Sequence, residues 1–237
     1  MSNLLSSTSP QTTSPQTTSP QTTSPQTTQR LSHFWTISSL TSLSWLAAAL
    51  PALAHHPSGG ETPTNFIEGF LSGLGHPVIG LDHLVFVVAI GLIAAKQSKG
   101  IFVVLAFLLS AMLGTSLHLA SVNLPGSELV IAGSVVAFGA MLLFEKSLNG
   151  LMVIGLGAIA GLFHGYAYGE AIIGAEMTPI LAYLAGFTLI QLGIAAVAQQ
   201  IGRAILQTKS GQPAAIRFSG LAICAVGLVF LTTSLLG

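Results

Sequence analysis

Long apolar runs separated by short polar breaks dominate the chain beyond residue 55, and their length sets the first expectation. About 20 apolar residues, rising ~1.5 Å each as a helix, cross the hydrocarbon core of a bilayer. That rule predicts six spans, at approximately residues 77–95, 101–121, 128–145, 149–168, 179–200 and 215–236. The connections are short, so successive helices are expected as antiparallel neighbours in a compact bundle. Residues 66–74, Phe-Ile-Glu-Gly-Phe-Leu-Ser-Gly-Leu, are too few to cross and are expected as a half-helix at the outer surface. Gly75-His76-Pro77 is the expected break before the first span, because proline disfavours helix at the residue before it and suits the first helical position. The predicted fold class is an all-α membrane protein: a bundle of about six transmembrane helices after an N-terminal signal segment, with a broken first helix.

The first 54 residues form a domain of their own kind, distinct from the six-span domain at 55–237. Residues 9–28 repeat Ser-Pro-Gln-Thr-Thr four times, a polar tract with nothing to bury. Arg30 then precedes an apolar stretch from Phe34 to Leu50, Pro51 and the small triplet Ala52-Leu53-Ala54. Positive residue, apolar core and A-x-A is the layout of a secretory signal peptide cleaved after Ala54. An uncleaved anchor helix is the alternative, the apolar core being long and the charge a single Arg. Residue 55 emerges on the far side of the membrane either way. After cleavage, His55 and His56 would stand beside a free α-amine, a potential chelator of nickel or copper near Glu61, or else an incidental leader junction.

Composition agrees with the membrane reading, since 51% of residues are hydrophobic, 6% are charged and the mean hydropathy is +0.77. A soluble domain carries about 25% charged residues. No basic patch with interleaved aromatics points to nucleic acid, and none is expected as a partner. The single Cys224 excludes an intrachain disulfide or thiolate cluster, and it reads as a small packed hydrophobe. Net charge is zero, but its distribution is uneven. Lys96, Lys99, Lys146, Arg203, Lys209 and Arg217 all fall on one side of a six-span arrangement, whereas Glu61, Glu68, Glu128, Glu170 and Glu176 occupy the other. The positive-inside rule makes the basic loops cytoplasmic and puts both mature termini outside a cell (inner) membrane.

Within this apolar frame the stretch His76-Pro77-Val78-Ile79-Gly80-Leu81-Asp82-His83 stands out. Ionisable groups are costly in hydrocarbon and usually face a cavity there. Imidazole with carboxylate suits borderline divalent metals such as nickel, cobalt and zinc. At ~1.5 Å per residue, His83 lies ~9 Å, His118 ~5 Å and His164 ~6 Å from the outer ends of their spans, so three helices present imidazole at a similar depth. Asp82 joins that level and Glu170 sits just above it. For His118 taken alone, a packing hydrogen bond is the simpler reading, which the shared depth of three imidazoles weakens. A continuous helix would hold His76 and His83 ~10 Å apart, too far to share an ion at ~2.1 Å per bond. His76 must therefore fold back at the break, or serve an earlier waypoint. Gly157, Gly161, Gly165 and Gly169 form a ladder spaced by four, which reads chiefly as a close helix-packing face.

The His-Pro-x-x-Gly-x-Asp-His run at 76–83, together with Phe163-His164-Gly165-Tyr166-Ala167-Tyr168-Gly169-Glu170, resembles the HupE/UreJ family of nickel and cobalt permeases. The resemblance covers about residues 55–237. It implies metal binding by His76, Asp82 and His83 and, through the second motif, by His164 and Glu170. It departs from many members after Asp82-His83, where Leu84-Val85-Phe86-Val87 replaces a methionine-containing stretch. The five-residue spacer also differs from the His-x4-Asp-His signature of another nickel/cobalt permease family.

The functional expectation is a secondary transporter moving nickel or cobalt, as uptake for metalloenzyme or cofactor assembly, with His76, Asp82, His83, His118, His164 and Glu170 as the metal-handling residues. The ion is cargo, no tightly bound cofactor is expected, and the bilayer is the other partner. No P-loop is present, so ATP hydrolysis by this chain is not expected, and as a transporter it is not read as an enzyme. A zinc-dependent intramembrane hydrolase is the alternative use of the same His/Asp set, and a b-type haem carrier is the third. Oligomeric state and the choice between nickel and cobalt are left open by these residues.

Overall fold

The computed structural model describes residues 62–144, 148–208 and 213–236; the leader, His55, His56, Glu61, Lys146 and Lys209 fall outside them. Among the described residues the chain forms seven α-helices, one short 3₁₀ turn and no strand. In chain order they are α1 (Phe66–Ile79), α2 (Leu81–Lys96), α3 (Gly100–Leu119), α4 (Ser127–Leu143), α5 (Gly150–Gly169), the turn Glu170–Ile172, α6 (Met177–Leu206) and α7 (Pro213–Leu236). Helices α3, α5 with its turn, α6 and α7 are each long and apolar enough to cross a membrane, and α1 with α2 passes as a pair bent by 80°. At 17 residues α4 is shorter. The protein is a multi-pass membrane protein, with four such spans among the described residues, or five when the bent pair counts as one.

The predicted breaks fall close to the observed helix ends, with two corrections. The first concerns the interruption near Pro77. Helix α1 runs through Pro77 to Ile79, and the chain breaks at Gly80, which is extended (φ −70°, ψ 102°). Gly80 N–H still closes the last turn on His76 O at 3.1 Å, and Gly80 O accepts Leu84 N–H at 2.9 Å to open the next helix. Proline costs a helix one hydrogen bond, but tertiary packing holds the preceding turn in place: a side chain at Gly69 or Gly73 would overlap the backbone of α6 at Pro179 or Tyr183. The start of α1 is also secured. Asn65 Oδ1 accepts Glu68 N–H at 3.0 Å while Glu68 Oε2 accepts Thr64 N–H at 2.8 Å.

The second correction concerns neighbours. The most extensive packing is not between successive helices but between α3 and α5, α4 and α7, and α1–α2 and α6. Small residues explain the choice, since in lipid the closest backbone approach gains the most van der Waals contact. A methyl at Gly165 would overlap Ala111 O, and one at Gly114 would overlap Leu162 O. The glycine ladder of α5 thus seats α3, and Thr115 Oγ1 donates to Gly165 O at 2.7 Å across that seam. Gly139, Gly220 and Gly227 do the same for α4 and α7, where the half-buried Cys224 donates from Sγ to Val136 O at 3.4 Å.

Helix α2 sits at the centre, touching α6, α4, α3, α7 and α1, and ten of its sixteen residues are buried. A helix apolar all round belongs inside, which fits its lack of a polar face. The peripheral helices are two-faced in the opposite sense to soluble ones. On α3, Val103, Val104, Phe107 and Ala111 are buried, whereas Ile101, Leu105, Leu109 and Leu113 are exposed at a four-residue repeat. Lipid chains are the environment that suits such a stripe.

The basic residues gather at one end. Lys96 Nζ donates to Phe144 O, joining the C-termini of α2 and α4. Gln97 Nε2 donates to Leu148 O at 3.2 Å, and Gln199 Nε2 to Ala94 O at 3.4 Å, so the start of α5 and the late turns of α6 share that end. At the opposite end Thr62 Oγ1 donates to Ile173 O at 3.4 Å, beside the exposed Glu68, Glu170 and Glu176.

Candidate functional site

Helices α1 and α2 follow α6 in the same direction. Gly73 faces Tyr183, and Gly91 faces Ala195, so eighteen residues of α1–α2 span the length of twelve in α6. The surplus is the excursion through His76, Gly80, Asp82 and His83. Gly80 makes it compact, because a Cβ there would come 3.2 Å from His83 Cδ2 and 3.3 Å from Asp82 Oδ1. The bend brings the His76 and His83 rings to 6.0 Å between centroids, nearly parallel at 14°. The ~10 Å separation of a continuous helix is thereby removed. Asp82 Oδ2 lies 3.5 Å from His83 Nδ1.

Other helices close around this excursion. Helix α5 contributes His164, 5.1 Å from the His83 ring, and Tyr168, set edge-on to His83 at 4.6 Å and to His76 at 5.1 Å. Tyr168 is four residues after His164 and so lies one turn along the same face. Helix α6 contributes Tyr183, whose Oη lies 3.1 Å from His76 Nδ1 and donates to Tyr168 O at 2.9 Å. Tyr168 Oη in turn donates to Gln191 Oε1 at 3.4 Å. From α4, Ser134 Oγ lies 3.0 Å from His164 Nε2. His76, Asp82, His83 and His164 are all buried, as are Tyr168, Tyr183 and Gln191. Towards the basic end the cluster is floored by aromatics: Phe86 stacks on His164 at 4.2 Å and packs against Phe107 and Phe138.

The structure therefore brings together four of the six sequence-selected residues, His76, Asp82, His83 and His164. His118 and Glu170 stand apart. Glu170 is exposed at the end of α5. His118 is half-buried, its ring 4.3 Å from Tyr166, and it lines an open cavity of about 240 Å³ with Asn123, Ser121, Tyr166 and Ile173. This cavity is at the acidic end, where the last turns of α3 and α5 meet. Sequence reasoning missed Ser134, Tyr183, Gln191 and the floor of phenylalanines. Tyr168 alone carried a signal, its four-residue spacing from His164; Tyr183 is 107 residues from His76, and nothing local links them.

Chemically, the cluster is buried, rich in imidazole and bounded by aromatic faces. A ligating ring centroid lies ~3.2 Å from its metal, given metal–nitrogen bonds of ~2.1 Å, so two rings sharing an ion are separated by ~5 to 6 Å. The His76–His83 and His83–His164 separations of 6.0 and 5.1 Å fall in that range. The ring orientations do not yet converge: among the described residues no three His, Cys, Asp or Glu side chains are arranged to hold a metal ion.

Comparison with known proteins gives two matches. The family model described as HupE / UreJ protein matches residues 43–230, which includes the whole described helical region up to the last turns of α7 and begins within the apolar stretch read as a leader. The protein named Protein HupE from Rhizobium leguminosarum bv. viciae is 32% identical over 192 residues, covering 78% of this chain and 93% of that protein. No solved structure matches.

Proposed function

The chain belongs to the HupE/UreJ family, and from that premise we propose that it is a permease carrying nickel or cobalt across a cell membrane, as uptake for metalloenzyme or cofactor assembly. The observation that carries this reading is the meeting of His76, Asp82, His83 and His164 from three helices in a buried, otherwise apolar centre. Burying three imidazoles and a carboxylate together costs folding energy that a purely structural core would avoid. A borderline divalent cation accepts that ligand set.

On this reading α2 to α7 are six spans, with α1 a half-helix folded in from the outer surface. The acidic end faces outward and the basic end the cytoplasm. The cation sheds water near Glu170 and Glu176, passes His118 in the outer cavity and reaches the buried cluster. It leaves toward the basic loops once the Phe86, Phe107 and Phe138 layer parts. The membrane potential supplies ~2.3 kcal/mol per charge per 100 mV. The ion is substrate and not a resident cofactor. Equilibrium binding of nickel and cobalt to the purified protein in lipid tests the site directly. Saturable binding that is lost in the Asp82→Ala, His83→Ala double variant is expected; undiminished binding in that variant would remove the cluster from the pathway.

A further inference from the structure

Two hydroxyl groups outside both sequence motifs each lie within hydrogen-bond distance of one ring nitrogen of a buried histidine. Ser134 on α4 has a single hydroxyl hydrogen, and its Oγ lies 2.7 Å from Ile131 O and 3.0 Å from His164 Nε2. A carbonyl oxygen only accepts, so the hydrogen goes to Ile131 O. The contact with the ring is then a hydrogen bond only if Nε2–H donates to Oγ. In the neutral ring this leaves the lone pair on Nδ1, and His164 Nδ1 is buried with no hydrogen-bond partner among the described residues. Tyr183 on α6 repeats the logic with the opposite nitrogen. Its Oη donates to Tyr168 O at 2.9 Å and stands 3.1 Å from His76 Nδ1, so His76 Nδ1–H is the donor and the lone pair is on Nε2.

We propose that Ser134 and Tyr183 are positioning residues: each hydroxyl, committed to a backbone carbonyl, fixes the tautomer of one histidine, leaving His164 Nδ1 and His76 Nε2 as the nitrogens that bind a divalent cation. The metal half of this statement rests on the permease reading; the tautomer half does not. A ligating histidine generally donates its other N–H to a fixed acceptor, which sets ring orientation and raises basicity, and losing that acceptor typically lowers metal affinity ~10- to 100-fold. Neither hydroxyl is itself a ligand.

The test uses the full chain in lipid bilayers with 15N-labelled histidine, free of metal and at pH 8, above the ordinary histidine range near ~6.5. Nitrogen chemical shifts, assigned with His164→Asn and His76→Asn variants, report which ring nitrogen is protonated. His164 is expected with Nε2 protonated and His76 with Nδ1 protonated. Ser134→Ala should disturb only His164, Tyr183→Phe only His76, and Ser134→Thr, which keeps the hydroxyl, neither. Nickel affinity in the same bilayers should fall ~10- to 100-fold in Ser134→Ala and in Tyr183→Phe and stay at the wild-type value in Ser134→Thr. The two hydroxyls lie on different helices, so either variant tests the idea if the other fails to fold. Protonation of His164 on Nδ1 in the wild type, or tautomers indifferent to both substitutions, would overturn the proposal. Correct tautomers with no nickel or cobalt binding by the wild type would overturn the permease reading and the metal half with it, leaving the tautomer assignment standing.

Discussion

His83 is the hub of the buried cluster, with its ring 6.0 Å from His76, 5.1 Å from His164 and 4.6 Å from Tyr168. Its removal therefore touches every other member, whereas His118 and Glu170 stand outside. Alanine at Asp82 or His164 should bring uptake of labelled nickel down to background at normal expression, while His118→Ala should only slow it. Equal losses at His118 and His164 would argue against a central site distinct from the outer cavity. On the proposed permease reading, the ligand set also fixes selectivity. With imidazole and carboxylate but no thiolate, nickel and cobalt should compete with each other, copper(I) poorly, and millimolar magnesium not at all, since magnesium prefers oxygen ligands and gives up water reluctantly. Inhibition by magnesium with indifference to cobalt would contradict the site. These residues were legible in the sequence because charge in an apolar run is rare. Ser134 and Tyr183 were not, since a hydroxyl on a membrane helix has many local partners and its distant one is set only by packing.

At the scale of elements, the helices themselves follow from apolar run length, but their pairing does not. Alternation of apolar runs and short loops predicts sequential neighbours; glycine faces instead select α3 with α5, α4 with α7, and α6 with α1–α2. The ladder spaced by four in α5 was visible as a packing face, yet nothing in its spacing named α3 as the partner. The break in the first helix was likewise visible and misplaced, because Pro77 is tolerated where α1 is held on α6 and Gly80 is needed where Asp82 and His83 fold back. Glycines on the same helix should consequently differ. Gly165→Ala forces a methyl into Ala111 O and should cost about 1–3 kcal/mol, the range of core overpacking. A methyl at Gly155 would meet nothing within 4 Å among the described residues, so Gly155→Ala should keep or raise stability by up to about 1 kcal/mol. Thermal unfolding in detergent, followed by helical signal, compares them. A destabilised Gly155→Ala beside an unaffected Gly165→Ala would contradict the α3–α5 seam.

For the whole molecule, the two ends differ in charge as the loops do in sequence. Lys96 lies beside Phe144 at one end, and Glu170 and Glu176 are exposed at the other. Single cysteines beside Lys99, in a Cys224→Ala background, should react with an impermeant reagent only after the membrane is opened; cysteines beside Glu128 or Glu176 should react in intact cells. The reverse pattern would invert the pathway. Between those ends the buried cluster has Phe86 stacked on His164, with Phe107 and Phe138 packed against Phe86 toward the basic side. The central claim, that this buried cluster carries a metal ion across, is tested most directly by uptake of radiolabelled nickel and cobalt into proteoliposomes under an inside-negative potential. The account predicts saturable accumulation by the wild type and background accumulation by an equally well inserted His83→Ala protein. Uptake by His83→Ala at the wild-type rate, or none by the wild type for either metal, would contradict it.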